Sequence, residues 1–514
     1  MPIRMTDDDD ANSGYSGNQD NRGSRGGGGG GGGNIIMMLL PFLFRYPKIV
    51  IPLLVIGGAI YFFKGGCSGG GNSSRYERAS YGTGATLDPK VYDSAQVYAA
   101  LSPDEQLPDR VSLERFAPTA KDQGQQGSCV GWGSTYAART ILESVNTGQN
   151  PDQIAFSPAF TYNQIGLEGC QGTYINKAMD LLTDNGSVPF NEFPYDENSC
   201  SKQPDNYVMK DAAKFRMKGA NRLSISGDDY TIDVNAIREN LAHNAPVVIG
   251  MMVGGSFMQE MEGKQEWIPR NGDYDQNGFG GHCMCVIGYD DRYFDQDGAF
   301  LIQNSWGPKW GKQGRAWVSY RDVVNFATEA YGIYPMPNKT DQSKLNCSLA
   351  LIEKTSKQYI PLAYKGNNVY ATVGKVTPGT KFKVELKNNI ECYVYIFGKE
   401  TDNGSYVLFP YTPKHSAYCG ITGTRVFPRD KSMTPDNIGA KDYICVLVSK
   451  VALDFKSLNE KFNADKNRDY QQRINAILSD KSIADVKFNV GNKVDFTADV
   501  TDKAVIPLIV EINK

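Results

Sequence analysis

Four residues of this chain have the types and the order that covalent catalysis by a thiol requires. Cys129 follows Gly127–Ser128, where a loop is predicted to become a helix. His282 opens an apolar strand pattern, and Asn304 stands at the end of another. An imidazole can take the proton of a thiol, and an amide side chain can orient that imidazole and fix its tautomer. Gln123, in the loop before Cys129, can donate an N–H to an oxyanion together with the backbone N–H of Cys129.

The element that begins at Cys129 is predicted to be an amphipathic helix packed into a core. Its apolar residues fall on one helical face: Ala137, Ile141, Leu142 and Val145. The first turn of a helix has unpaired N–H groups and the positive end of the dipole, so we expect a lowered pKa for the Cys129 thiol. A buried, inert thiol is the alternative. The glycines that flank Cys129 favour catalysis, because they cost helix stability and allow another backbone to approach closely.

The segments around these residues are "QGQQGSCVGW", "GGHCMCVIGYDD" and "QNSWGPKWGKQG". Together they resemble the motifs of the papain-like cysteine peptidases, and the resemblance runs from Leu107 to Pro337. It implies an α+β domain with a helical lobe that carries Cys129 and a β-rich lobe that carries His282 and Asn304. It also implies hydrolysis of peptide bonds through a thioester on Cys129, with His282 as general base and acid and Asn304 as its orienter. Gln123 would belong to the oxyanion hole, and neither a cofactor nor a metal is predicted.

A further stretch, "GCQGTYINKAMDLL", is similar to the part of that family that lines the substrate cleft. The resemblance implies that Gly172 and Thr173 run beside a protein or peptide substrate, and that Trp306 shields the histidine–asparagine bond. Thr173 stands where the family has a glycine, and Val130 stands where it has a tryptophan. A catalytically inactive papain-fold binding or scaffold protein is therefore one alternative, and a Cys–His cell-wall amidase is another.

Two disulfides that are usual in the family have each lost one cysteine here. Gln126 stands three residues before the nucleophile, and Asn163 stands seven residues before Cys170. The resemblance therefore implies that Cys170 and Cys200 either pair with each other or are both free. A pair would indicate an oxidising compartment.

The overall composition limits the classes of function. The net charge of −3 and the pI near 5.8 argue against a nucleic-acid partner, which would require a basic face. A length of 514 residues predicts two or three domains. The ten cysteines include no C-x-x-C pair and no clustering typical of zinc sites.

The N-terminal part has the composition of a tail, an anchor and a linker. Residues 1–34 are polar and rich in glycine, so we expect disorder. Residues 35–64 are predicted to be a membrane anchor, because Ile49–Phe63 is an uncharged run and residues 46–63 approach the length of one bilayer span. Residues 65–106 read as a flexible linker. The expected topology is a single pass with the catalytic domain outside the cytoplasm; lipidation at Cys67 is a weaker alternative.

The C-terminal part, residues 344–514, contains short alternating segments punctuated by turns, which predict a β-rich domain. It resembles a bacterial β-rich domain of unknown function. A β-sandwich that binds a protein partner or shields the cleft is the expectation. The stretch before Leu107 looks too short for the family's inhibitory prosegment, so we expect control from elsewhere, and docking of the C-terminal domain near the cleft is one hypothesis.

Overall fold

The computed structural model describes residues 1–8, 81–336, 342–481, 485–489, 491–500 and 504–514. The described residues belong to one compact unit. The predicted anchor at residues 35–64, residues 9–34 of the tail and residues 65–80 of the linker lie outside the described residues. Within the described ranges, no helix is both long and apolar enough to cross a bilayer.

The helical lobe is built around the helix that begins at Cys129. It consists of an α-helical turn Cys129–Gly131, a π-helical stretch Trp132–Arg139 and an α-helix Thr140–Thr147. Its apolar face is buried in the core. The remaining α-helices between residues 81 and 336 are Pro89–Ser94, Pro158–Ile165, Ile175–Asp184, Asn206–Ala212, Val234–Ala242, Gly255–Gln259, Tyr293–Gln296 and Tyr320–Phe326.

The β-rich lobe is a twisted sheet that positions the histidine and the asparagine. Strands are numbered along the chain: β1 (Ile3–Asp7) belongs to the C-terminal half, and β2 to β9 are Arg110–Ser112, Ala220–Arg222, Val247–Val253, Glu266–Trp267, Gly280–Asp290, Ala299–Gln303, Arg315–Ser319 and Ala327–Ile333. The order is β3-β9-β4-β6-β7-β8-β5, with β2 beside β6. The Cys129 helix packs closely on β6, since a Cβ at Gly133 would lie 2.9 Å from Cys283 Sγ.

The C-terminal half is two packed sheets with a shared apolar core. Its strands β10 to β23 are Lys344–Glu353, Tyr359–Ile360, Leu362–Gly366, Val369–Thr372, Phe382–Asn388, Cys392–Lys399, Ser405–Phe409, Tyr418–Cys419, Gly423–Phe427, Lys431–Pro435, Lys441–Ser449, Val486–Asn489, Val494–Asp499 and Val505–Asn513. One sheet has the order β1-β19-β14-β10-β22-β21, with β11 and β18 beside β10 and β14. The other has the order β12-β13-β23-β20-β15-β16, with β17 beside β15. Helices Phe455–Ala464 and Tyr470–Ile477 pack on the second sheet.

Strand β1 contradicts, for Ile3–Asp7, the prediction that residues 1–34 are disordered. Ile3–Asp7 pairs antiparallel with β19, and Ile3 is buried in the core between the C-terminal sheets. The Asp8 carboxylate lies 2.6 Å from Lys383 Nζ. Despite burial of the carboxyl, the bonds from Lys383 and Ser432 lower the pKa of Asp8. The strand was missed because five residues are too few to show a clear periodic pattern. Its partner strand also lies more than four hundred positions away in the sequence.

Residues 96–105 lie between the two halves; we call them the bridging segment. The Val97 N–H donates to the Lys414 carbonyl at 2.6 Å, and the Ser102 N–H donates to the Thr424 carbonyl at 2.6 Å. On the other side, the Leu101 N–H donates to the Glu239 carboxyl group at 2.9 Å. The prediction of a flexible linker at residues 65–106 is wrong here, because these backbone groups are paired with both halves.

Candidate active site

Cys129 is fully buried at the start of its helical turn. Burial raises the pKa of the Cys129 thiol to about 12, although backbone amides, including those of Cys283 and Ala85, act in the opposite direction. The predicted lowering of the thiol pKa is therefore wrong for this state. Loss of solvation outweighs the effect of the helix N-terminus.

His282 and Asn304 lie on neighbouring antiparallel strands, His282 within β6 and Asn304 directly after β7. His282 Nε2 and Asn304 Oδ1 are 2.7 Å apart. Asn304 Oδ1 also accepts the Ser305 N–H at 2.7 Å, so this atom is the acceptor and the neutral imidazole carries its proton on Nε2. His282 Nδ1 has no hydrogen-bond partner among the described residues. It is therefore the nitrogen that can receive the proton of a thiol.

The charge of His282 is controlled by its surroundings. Burial lowers the pKa of His282 to about 4, while the bond to Asn304 acts in the opposite direction. Trp306 covers the imidazole, with ring centroids 4.4 Å apart and planes inclined by 25°. The thiol and the imidazole are thus both neutral in this closed state.

Gln123 is fixed in the loop before the nucleophile. Its Oε1 accepts the Ser305 hydroxyl at 2.6 Å, and its Nε2 donates to the Gln126 carbonyl at 2.9 Å. An amide nitrogen has two hydrogens, so one remains for an oxyanion. Ser305, which also holds Asn304, was missed as a positioning residue. The sequence feature that could have identified Ser305 is its position between Asn304 and Trp306 in the segment "QNSWGPKWGKQG".

An extended segment of the chain itself, Tyr81–Leu87, lies in the cleft; we call it the cleft segment. The Thr173 N–H donates to the Gly84 carbonyl, and the Thr173 carbonyl accepts the Thr86 N–H, both at 2.9 Å. From the other lobe, the Gly281 carbonyl accepts two successive amides of the segment at 3.1 and 3.0 Å. The cleft is therefore built to bind an extended peptide backbone from both sides.

The cleft segment is also attached to the cover of the histidine. Trp306 Nε1 donates to the Gly82 carbonyl at 2.8 Å, and the Tyr81 ring stacks on the Trp306 ring. The cleft segment also packs closely against the loop before Cys129, because a Cβ at Gly84 would lie 2.2 Å from the Gly127 carbonyl oxygen. The prediction of a flexible linker is thus wrong for residues 81–87 as well.

The two replacements that raised the prospect of a blocked cleft do not block it. The Thr173 hydroxyl donates to the Ile165 carbonyl at 2.6 Å, while its backbone groups bind the cleft segment. At Gly172, with φ of 127°, a Cβ would meet the bound backbone, 2.3 Å from the Gly84 carbonyl oxygen. Val130 is buried in the core.

Cys170 and Cys200 form a disulfide, which is one of the two alternatives inferred from the sequence. Gln126 replaces a missing cysteine partner with hydrogen bonds. Its side-chain amide donates to the Asp196 carbonyl at 3.1 Å, in the loop that leads to Cys200. The nucleophile loop is thereby still tied to this part of the helical lobe.

Comparison with known proteins agrees with this geometry. Residues 108–336 match the family described as papain family cysteine protease. Residues 108–336 form a papain-family cysteine peptidase domain. This hydrolase domain contains Cys129, His282 and Asn304, whereas the cleft segment precedes it.

Relatives of this papain-family domain come from distant organisms. A protein of Acanthamoeba polyphaga mimivirus described as peptidase C1-like is 27% identical over 240 residues, which cover 44% of this chain and 74% of that protein. A cathepsin B-like protein of Giardia intestinalis is 26% identical over 202 residues, which cover 38% of this chain and 62% of that protein. Xylellain, a cysteine protease from Xylella fastidiosa, is 23% identical, with a TM-score of 0.40 over 51% of this chain and 97% of that one.

Proposed function

We propose that this protein is a latent cysteine peptidase, which hydrolyses peptide bonds at Cys129 once the cleft segment has left. The observation that supports this most directly is the occupant of the cleft. An extended peptide is hydrogen-bonded through its backbone between Thr173 and Gly281, beside a buried cysteine and an asparagine-held histidine. A substrate peptide would use the same backbone groups.

The proposed chemistry follows from the atoms that remain free. His282 Nδ1 takes the proton of Cys129, and the thiolate sulfur adds to the substrate carbonyl carbon. The Cys129 N–H and the second hydrogen of Gln123 Nε2 stabilise the oxyanion. Collapse of this tetrahedral adduct breaks the C–N bond, and the amine leaves with the proton from the imidazolium. Water then attacks the thioester with His282 as base, which releases the acid and restores the thiol.

The cleft segment is bound in a way that favours latency over cleavage. Its Gly82 and Gly84 carbonyls accept bonds from Trp306 and Thr173, and the Ala85 amide lies close enough to Cys129 to affect the thiol. Both Cys129 and His282 are fully buried in this state, which keeps both groups neutral. The C-terminal domain contributes to latency because it binds the bridging segment, which follows the cleft segment in the chain.

The test is labelling of Cys129 with a peptidyl epoxide, followed by mass spectrometry. Gly84→Ala is chosen to displace the cleft segment, because its Cβ would clash with a backbone oxygen 2.2 Å away. Labelling should be slow in the wild type, faster in Gly84→Ala and absent in Gly84→Ala with Cys129→Ala. Gly374→Ala is the matched control, since a Cβ there meets nothing within 4 Å.

Two further results decide between the peptidase and a scaffold. The Gly84→Ala protein should cut a mixed peptide library, and adding His282→Ala should slow both cutting and labelling. A folded Gly84→Ala protein whose Cys129 reacts no faster than its other thiols would leave the inactive papain-fold scaffold as the better proposal.

We also propose that residues 46–63 attach the protein to a bilayer and that the catalytic domain lies outside the cytoplasm. The uncharged run Ile49–Phe63 supports attachment, and the Cys170–Cys200 disulfide supports an oxidising compartment. The full chain should stay in the membrane fraction after high-salt and alkaline washing. Release by these washes would contradict attachment, and protection from protease added outside intact cells would contradict the proposed side.

A further inference from the structure

Two cysteines of the C-terminal half lie directly opposite each other on neighbouring strands. Cys392 begins β15 and Cys419 ends β17, and the antiparallel register of these strands pairs the two residues. Both are buried and carry free thiols. Residues in such a pair lie on one face of the sheet, with Cα atoms about 4.5–5.5 Å apart. A disulfide accepts Cα separations of about 4.4–6.8 Å, so the backbone suits a bond between the two sulfurs.

A buried arginine without a carboxylate partner lies near this pair. Arg425 of β18 is fully buried, and its hydrogen bonds go to neutral acceptors. These acceptors are the Ala99 carbonyl at 2.8 Å, Asn388 Oδ1 at 2.8 Å and the Ile421 carbonyl. In the described ranges of the chain, no Asp or Glu side chain forms an ion pair with Arg425. A buried charge without a counterion is costly, so we expect an anion nearby.

The anion that fits this position is the thiolate of Cys419. Although burial acts in the opposite direction, the charge of Cys419 raises the pKa of Arg425. The hydrogen bond from the Cys392 thiol, together with Arg425, holds the pKa of Cys419 below its ordinary value despite burial. The same bond raises the pKa of Cys392. The pair therefore combines a sulfur that favours the thiolate with a sulfur that retains its proton, as thiol–disulfide exchange requires.

The other titratable groups that act on Arg425 do not supply this anion at neutral pH. Burial raises the pKa of Glu239 to about 8, so this carboxyl group is protonated. Burial also raises the pKa of Tyr98 well above its ordinary value, so its hydroxyl stays neutral. Cys419 is thus the group beside Arg425 that ionises most readily.

We propose that Cys392 and Cys419 form a dithiol–disulfide redox site that reacts with oxidants containing a disulfide. The Cys419 thiolate attacks one sulfur of the oxidant, which releases half of it as a thiolate and leaves a mixed disulfide on Cys419. The Cys392 thiol then loses its proton and attacks the Cys419 sulfur, and the second half of the oxidant leaves and takes up that proton. Two electrons pass from the cysteines to the oxidant. This inference goes beyond the proposed peptidase function and does not depend on it.

The position of the site gives it access to solvent and a connection to the bridging segment. Among the described residues, the two-residue strand β17 pairs with β15 alone, so it can open at a smaller cost than global unfolding. Oxidation converts the thiolate into a neutral disulfide and leaves Arg425 without its anion. Because Arg425 also binds Ala99 of the bridging segment, the redox state acts on the contact between the two halves.

The experiment maps disulfides in the full chain. The protein is reduced, freed of reductant and exposed to bis(2-hydroxyethyl) disulfide; the remaining thiols are then alkylated and the peptides are mapped without reduction. The wild type should yield the Cys392–Cys419 disulfide. Cys392→Ala should stop at a mixed disulfide on Cys419, whereas Cys419→Ala should leave Cys392 unmodified. Cys445→Ala, which removes another buried cysteine of the same sheet, should behave as the wild type.

The role of the buried cation is tested by the rate of the same reaction. In folded protein, Arg425→Gln should slow it by about three- to tenfold, because a smaller fraction of Cys419 is thiolate, and Arg425→Lys should retain most of the rate. The cysteine variants decide the proposal even where Arg425→Gln does not fold. A disulfide of either cysteine with Cys347, modification of Cys392 in Cys419→Ala, or absence of reaction at both cysteines would overturn it.

Discussion

The rings of Tyr81 and Trp306 lie almost parallel, with centroids 4.7 Å apart and planes inclined by 10°. Trp306 also stacks on His282, so one indole joins the cleft segment to the His282 imidazole. Tyr81, Trp306 and His282 thus form one stack, which links the cleft segment to the cover of the histidine.

Tyr81→Ala should loosen the cleft segment without altering any catalytic atom. A stacked aromatic pair contributes about 0.5–1.5 kcal/mol beyond its buried area, so the open fraction should rise by about 2–12-fold. The rate of Cys129 labelling by a peptidyl epoxide measures this fraction. Tyr207→Ala, at a site where the tyrosine is exposed, is the control. Equal rates in wild type and Tyr81→Ala would mean that the stack does not hold the segment.

Asn304→Ala should impair chemistry more than binding. The Asn304 Oδ1 acceptor orients His282 and stabilises the protonated ring, and a bond to a charged group contributes about 1.5–3 kcal/mol. In the Gly84→Ala background we therefore expect kcat to fall by about 10–150-fold, with KM little changed. Steady-state kinetics on a peptide substrate measure both constants, and Asn198→Ala on the surface should leave both unchanged. A rise in KM at constant kcat would contradict the orienting role.

Glu239→Gln should flatten the pH dependence of stability. Burial raises the pKa of Glu239 to about 8, although Arg429 acts in the opposite direction. The folded state therefore keeps a proton that the unfolded state releases above its ordinary pKa of about 4.5, so the free energy of unfolding falls as pH rises from about 4.5 to about 8. Denaturant unfolding at pH 5 and pH 8 should show a smaller difference in Glu239→Gln than in wild type.

The matched control for that measurement is Glu460→Gln, which changes an exposed glutamate. It should retain the pH dependence of the wild type. Parallel curves for wild type and Glu239→Gln would show that the Glu239 carboxyl does not carry a proton across this range in the folded protein.

Thr6→Cys with Thr434→Cys should form a disulfide within one chain, because the two hydroxyl oxygens are 2.9 Å apart across β1 and β19. Peptide mapping after mild oxidation measures the bond. Mixing isotopically labelled and unlabelled protein distinguishes a bond within one chain from a bond between two. Recovery of mixed-label peptides beside the two uniformly labelled kinds would show that β1 is supplied by a second molecule.

The candidate catalytic residues could be proposed from sequence, because each lies in a local motif whose chemistry is specific. Cys129, His282 and Asn304 could be named from residue types and order, and a β-rich C-terminal half from alternation. The cleft segment could not be predicted from sequence, because "YGTGATL" has no strong pattern and its partners are mostly backbone groups at Thr173 and Gly281.

Strand β1 limits the ways in which the chain can meet a membrane. Asp8 and Tyr81, the residues on either side of positions 9–80, belong to the same folded body. A polypeptide that crosses a bilayer once emerges on the opposite face, from which its first residues cannot reach β19. In one molecule, a seated β1 and a single crossing by residues 46–63 therefore exclude each other. Wherever β1 is in place, Ile3–Asp7 and the domain that contains Cys129 share one aqueous compartment.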